Sequence, residues 1–235
     1  MLDLSQAFHA ALRQIATLDP QLLEIIGLSL KVTLTAVALA TLIGFAVGGM
    51  LAVYRFPGRG AVAAILNALM GLPPVVAGLI VYLLLSNAGP LGVLQLLYTP
   101  EAMIIAQVIL VTPIVAALTR QTCEDLLEEY RDQLCSLGAS SAEIVTTLLW
   151  DGRYRLITAV LAGFGRAIAE VGAVMIVGGN IDHVTRTMTT AIALETSKGN
   201  IALALALGMI LLAIALAVNV ALMGVRRLAS RFAYA

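Results

Sequence analysis

Apolar residues recur at helical spacing from the start of the chain. Leu4, Phe8, Leu12, Ile15 and Leu18 share one face, so residues 1–20 predict an amphipathic helix closed by Asp19-Pro20. A helix of that kind suits the membrane interface rather than a crossing. Five apolar stretches follow: about Leu28 to Val53, Val62 to Leu85, Ala102 to Leu118, Leu156 to Val177 and Ile201 to Val225. Each approaches the ~20 residues that a helix needs to cross ~30 Å of hydrocarbon. Pro73-Pro74 interrupts the second stretch and Pro113 the third. Breaks at these prolines would free backbone groups that lipid cannot satisfy, which is tolerated only inside protein or beside a water-filled cavity. A simple kink and a central cavity both remain open.

The connections differ sharply in polarity. Tyr54 to Gly60 is a short turn with two arginines, and "SNAGPLGVLQLLYTPE" has no basic residue and enough apolar ones to lie along the membrane surface. The one long polar block is Thr119 to Arg155. It begins with the acidic run "EDLLEE" and predicts a short helix, a turn at Gly138-Ala139-Ser140-Ser141, and a second short helix with Ser140 or Ser141 as N-cap. Leu134, Leu137, Ile144, Val145, Leu148 and Leu149 give these helices an apolar face. That face needs a cover, either a partner or the chain's own helix ends.

Composition agrees with the pattern and narrows it. Hydrophobic residues make up 60% of the chain and charged residues 12%, with a mean hydropathy of +0.98, which is membrane composition. The 14 basic and 14 acidic residues balance, so no basic field points to nucleic acid. Arg55, Arg59, Arg120, Arg131, Arg153, Arg155, Arg226, Arg227 and Arg231 fall on one side of the crossings. Arg13, Lys31, Arg186 and Lys198 fall on the other. Basic residues are retained inside, so the polar block and the C-terminus are expected in the cytoplasm and the N-terminus outside. The first thirty residues lack the basic start and apolar block of a cleavable signal. Cys123 and Cys135, beside acidic residues in a loop, read as free thiols rather than a disulfide.

Two charges stand inside the fourth stretch. Arg166 and Glu170 are four positions apart, so on a continuous helix they share a face and can pair. A lone charge there is costly. Such a pair either locks the crossing to a neighbour or lines a path for an anion. The hydroxyls of "TRTMTT" at 185–190 would meet a descending oxyanion or sit in a solvated outer loop. Gly163, Gly165, Gly172, Gly178 and Gly179 suit close helix packing. No Gly-rich phosphate loop ending in Lys-Ser/Thr appears, and no His/Cys/Asp/Glu cluster has metal spacing. A transporter built on this chain would borrow its energy from a separate protein.

"LGAS" at 137–140, preceded by a helix and followed by "LLWDGRYRLI", resembles the cytoplasmic loop of binding-protein-dependent ABC importer permeases. In that family the loop reads E-A-A, three residues, G, nine residues, then I-x-L-P. Gly138 fills the glycine position, whereas Asp132-Gln133-Leu134 replaces E-A-A and Leu149-Trp150 replaces L-P. "EVGAVMIVGGNI" and "TRTMTTAIALET" look like the molybdate and tungstate branch, closest to its tungstate members. The resemblance implies an all-α, type I permease over residues 1–235 as one domain, with 119–155 as the coupling loop. It further implies a homodimer, cytoplasmic ATPase subunits, an external substrate-binding protein, and ATP and Mg bound by the partner rather than by this chain. ATPase coupling would fall to Asp132, Leu134, Leu137, Gly138, Ala139, Ser140 and Ile144. The path or its gate would use Pro73, Pro74, Arg166, Glu170, Asn180, Thr187, Thr189 and Thr190. A secondary transporter would need ionisable residues in several crossings, and a membrane enzyme would need a catalytic constellation.

Overall fold

The computed structural model describes residues 4–17 and 19–232. Leu18 and the side chains of Leu4, Arg226, Arg227 and Arg231, all used above, lie outside the described residues. The fold is all-α, with no strand among the described residues. Helix α1 (Leu4–Ala16) is followed by α2 (Pro20–Val53), α3 (Arg59–Met70), α4 (Pro74–Leu85), α5 (Pro100–Ser136) and α6 (Ser141–Asp151). Then come α7 (Arg153–Ile168), α8 (Gly172–Gly178), α9 (Met188–Lys198) and α10 (Ile201–Phe232). Helices α2, α5 and α10 are long and apolar enough to cross a membrane by themselves, and the number rises to as many as five if each of the bent pairs α3/α4 (104°) and α7/α8 (58°) is one span.

Two compact units make up the chain. The first comprises Met1–Thr35, Pro73–Gln107 and Ile168–Val218, and the second Ala36–Leu72, Val108–Ala167 and Asn219–Ala235. In the first unit, α1 buries Ala7 and Ala11 and leaves Phe8 and Leu12 exposed. Small residues thus seat the helix while Phe8 and Leu12 face outward. Helix α4 packs on α8 so tightly that a Cβ on Gly78 would lie 2.7 Å from the Ala173 Cα. A 3₁₀ turn at Gly92–Leu94 leaves Leu91, Val93 and Leu94 exposed.

In the second unit, glycines set the helix spacing. A Cβ on Gly44 would come within 2.8 Å of Val115, and one on Gly48 within 2.5 Å of the Ala116 carbonyl oxygen, so α2 and α5 touch backbone to backbone. Gly163 brings α7 equally close to Val111 of α5.

Four expectations need correction. Helix α2 starts at Pro20, two turns before Leu28, because Pro at the first helical position costs no hydrogen bond. Pro113 breaks nothing: α5 runs unbroken through it, since one missing N–H bond is outweighed by buried Val111, Val115 and Ala116 on either side. The first loop helix is no separate element but the end of α5, whose apolar positions Cys123, Leu126 and Tyr130 continue the helical period past Leu118. The fourth crossing is interrupted, because α7 stops at Ile168 and α8 starts at Gly172. Glu170 therefore lies beyond the end of the helix that carries Arg166, so the continuous helix on which their four-residue spacing was read stops between them.

Candidate functional site

The turn between α5 and α6 is built locally. At the end of α5, Ala139 N–H donates to the Leu134 carbonyl (3.1 Å) and Gly138 N–H to the Cys135 carbonyl (3.0 Å). With Gly138 at φ 72°, this is a Schellman termination, which needs a residue able to take the left-handed conformation. The next residue but one opens α6. Ser140 N–H donates to Glu143 Oε2 (2.8 Å), and Glu143 N–H donates to Ser140 Oγ (3.4 Å), a reciprocal capping box. The Ser140 hydroxyl, and after it the Ser140 amide, holds the Glu143 carboxyl below its ordinary range.

Beneath the turn, Ile144 and Leu148 pack against Ala52, Cys123 and Leu126, with Leu134, Ala139 and Leu149 at the margin. The chain's own helix ends thus cover most of the apolar face that the sequence left open. Asp132, Gly138 and Ser140 remain exposed, and Leu137 stands out at 76%. A Cβ on Gly138 would meet nothing within 4 Å. The arrangement is a stiff, small-residue turn with one protruding leucine on an apolar seat, a shape suited to inserting into a groove on another protein. Cys123 is buried and Cys135 exposed, both as free thiols.

Sequence reasoning missed the charges beside this seat. Arg59 Nη2 donates to Glu124 Oε1 (2.5 Å), and Arg120 Nη1 donates to the same oxygen (3.1 Å). Arg59 and Glu124 are 65 positions apart, so only the i, i+4 spacing of Arg120 and Glu124 was a usable signal. Trp150, noted from sequence only as a departure from the loop pattern, is 69% exposed, with the Arg153 guanidinium 4.9 Å from its ring.

Most of the other candidates lie in the first unit. Pro73 is extended and precedes α4, and Pro74 occupies its first turn. Glu170 is only 4% exposed; its Oε1 accepts from the Ala173 N–H (3.0 Å), and its backbone carbonyl accepts from the Thr189 hydroxyl (2.7 Å). Thr187 N–H donates to Thr190 Oγ1 (3.0 Å), and Asn180 Nδ2 donates to the Thr190 carbonyl (3.4 Å). Met188 N–H donates to Ser29 Oγ (2.7 Å), tying the start of α9 to α2. Glu170, Asn180, Thr187, Thr189 and Thr190 thus form one hydrogen-bonded group. The threonines are buried and start a helix, so of the two arrangements left open at 185–190 the solvated outer loop is not what forms. Arg166 lies in the last turn of α7, in the second unit, and is half-buried.

A cleft of about 240 Å³ in the same unit is lined by Glu24, Lys31, Asp182, His183 and Arg186. His183 Nδ1 lies 2.7 Å from Glu24 Oε2, and Arg186 Nη1 lies 2.6 Å from Asp182 Oδ1. The hydrogen bond that His183 donates to Glu24, then the charges of Glu24 and Asp182, raise the His183 imidazole above its ordinary value.

No family profile matches the chain. It is 43% identical over 217 residues to a probable anion ABC transporter permease of Haloferax volcanii, covering 90% of each chain. It is 39% identical over 223 residues to the tungstate uptake system permease TupB of Peptoclostridium acidaminophilum, covering 95% of this chain and 98% of that one. Identity to the sulfate transport permease CysW of a Synechocystis species is 30% over 199 residues, covering 81% and 72%.

Proposed function

The chain belongs to the ABC transporter permeases, and from that premise we propose that it is the membrane-spanning subunit of a tungstate importer. The observation that carries the substrate is the end-to-end likeness to a tungstate permease, at higher identity than to a sulfate permease. Molybdate is the second reading, because the two are tetrahedral dianions of nearly equal size. An external binding protein would then make the discrimination.

In this reading the α5–α6 turn faces the cytoplasm, as the excess of arginines predicts, and Leu137-Gly138-Ala139-Ser140 is the docking knob for a separate ATPase. Asp132, Leu134 and Ile144 serve it differently: Asp132 borders it, while Leu134 and Ile144 seat it. ATP and Mg belong to that partner, whose hydrolysis drives movement of the knob. Five crossings enclose half a path, so two copies face each other. Pro73, Pro74, Arg166, Glu170 and the Asn180–Thr190 group lie on or behind the path, with the buried hydroxyls already committed to hydrogen bonds that would have to exchange for an anion to use them. Uptake of radiolabelled tungstate into cells carrying this importer tests the substrate. Strong competition by molybdate with none by sulfate is expected, and sulfate uptake without tungstate uptake would refute it.

A further inference from the structure

The charged cluster beside the docking turn has a geometry that packing alone does not require. Arg59, the first residue of α3, donates from Nε to the Leu51 carbonyl (2.6 Å) and from Nη2 to the Ala52 carbonyl (3.2 Å). Both belong to the last turn of α2, whose carbonyls have no partner within the helix. The same Nη2 reaches Glu124 Oε1 on α5, which Arg120 also holds from one turn earlier. One guanidinium thus joins three helices, and one carboxylate oxygen closes the joint.

The joint abuts the seat of the docking helix. Ala52 and Cys123, which lie in the apolar cluster under Ile144 and Leu148, are next in sequence to Leu51 and Glu124 respectively. A push on α6 is therefore delivered where α2, α3 and α5 are pinned together. Arg59 and Glu124 remain about a third exposed, at 31% and 33%, beside a cleft of about 400 Å³. An ion pair that wet adds little to stability, and the buried cluster carries the folding. What the pair supplies is direction, because a guanidinium fixed to two carbonyls and a carboxylate permits one arrangement of the three helices.

We propose that Glu124 is a positioning residue for transport: through Arg59 it makes α2 and α3 follow the docking helix, so that ATP hydrolysis by the partner is converted into movement of the membrane-spanning helices. This rests on the function proposed above. Without the joint, the end of α5 and α6 answer the ATPase while α2 and α3 lag. Hydrolysis then continues and delivery fails.

The test uses the full complex, with ATPase and binding protein, reconstituted in liposomes, and reads tungstate delivered per ATP hydrolysed. Glu124→Gln should keep hydrolysis near the unmodified rate and lower the delivered ratio by about five-fold or more. Glu124→Asp should recover part of it. Glu128→Gln, which lines the same cleft without a bond to Arg59, should leave the ratio unchanged. An unchanged ratio in Glu124→Gln overturns the proposal, as does a parallel fall of transport and hydrolysis, which marks a docking or folding defect. If Glu124→Gln does not accumulate, Arg59→Lys is read instead; lysine keeps the charge but cannot hold two carbonyls and a carboxylate, and a normal ratio there is equally fatal. A complex of unmodified chains that delivers no tungstate with ATP overturns the proposed function and this role with it. Normal delivery with an unaffected Glu124→Gln removes only the coupling role.

Discussion

Gly27 and Gly48 lie on the same helix, α2, and the same substitution should stabilise at Gly27 but not at Gly48. At Gly48 an added Cβ would sit 2.5 Å from the Ala116 carbonyl oxygen, 2.7 Å from the Thr119 Cβ and 3.0 Å from the Arg120 amide nitrogen. Ordinary carbon contacts are about 3.5–4.0 Å, so α2 and α5 would have to part by roughly 1 Å. The obstructing atoms are backbone and a β-branched side chain, which cannot swing away. Overpacking of this kind costs about 1–3 kcal/mol, against about 1 kcal/mol gained from replacing glycine by alanine in a helix. Gly48→Ala should therefore be neutral to destabilising by about 2 kcal/mol. Gly27 has nothing within 4 Å of its virtual Cβ, so Gly27→Ala keeps the helix gain alone. Subtracting one from the other cancels helix propensity and leaves the clash. Thermal denaturation of the purified protein in detergent, read as the fraction remaining soluble, should rank Gly27→Ala above the unmodified chain and Gly48→Ala at or below it. Gly48→Ala at least as stable as Gly27→Ala would refute the close α2–α5 contact.

Other outcomes follow from the docking turn. Leu148, fully buried, and Leu137, 76% exposed, should separate stability from partner binding. Leu148→Ala should cost about 2–5 kcal/mol in the same denaturation assay. Leu137→Ala should leave stability unchanged and weaken capture of the ATPase in a pull-down. Gly138→Val forces a β-branched residue to φ 72°, so it should fray the α5–α6 turn, raise proteolytic cleavage there, and reduce transport and binding-protein-stimulated hydrolysis together. The Glu143 carboxyl is held below its ordinary value of 4.5 by Ser140, so the capping box is complete above that value and is lost as pH falls through the lowered one. Amide protection at the first turn of α6, corrected for the pH dependence of the intrinsic exchange rate, should fall on acidification in the unmodified chain and show no such step in Glu143→Gln.

Three of the candidate crossings could be read from the sequence because each needs only a long apolar run, and α2, α5 and α10 supply it without interruption. The α5–α6 turn was equally legible as a turn, since its geometry rests on bonds between residues three to five positions apart. Breaks were harder. The prolines misled at Pro113, where packing on both sides of α5 outweighs one lost hydrogen bond. The real interruption at 169–171 carries no proline or other strong breaker. Pairing of Arg59 with Glu124 was out of reach, because it depends on how α2, α3 and α5 pack rather than on any spacing along the chain. A nearer signal was missed: Gly44 and Gly48 stand four apart in an apolar run, the pattern of close helix contact, and they do set the α2–α5 distance. The apolar face at 134–149 was legible as a face, but not that Ala52, Cys123 and Leu126 would cover it.

The central claim is that this chain imports tungstate only when an ATPase docks on the α5–α6 turn. Liposomes containing the chain, the ATPase and the binding protein, loaded with ATP on the ATPase side, should accumulate labelled tungstate against its gradient. Omitting the ATP or the binding protein should abolish accumulation, and a proton or sodium gradient should not replace them. Accumulation by the chain alone, driven by an ion gradient, would contradict the account.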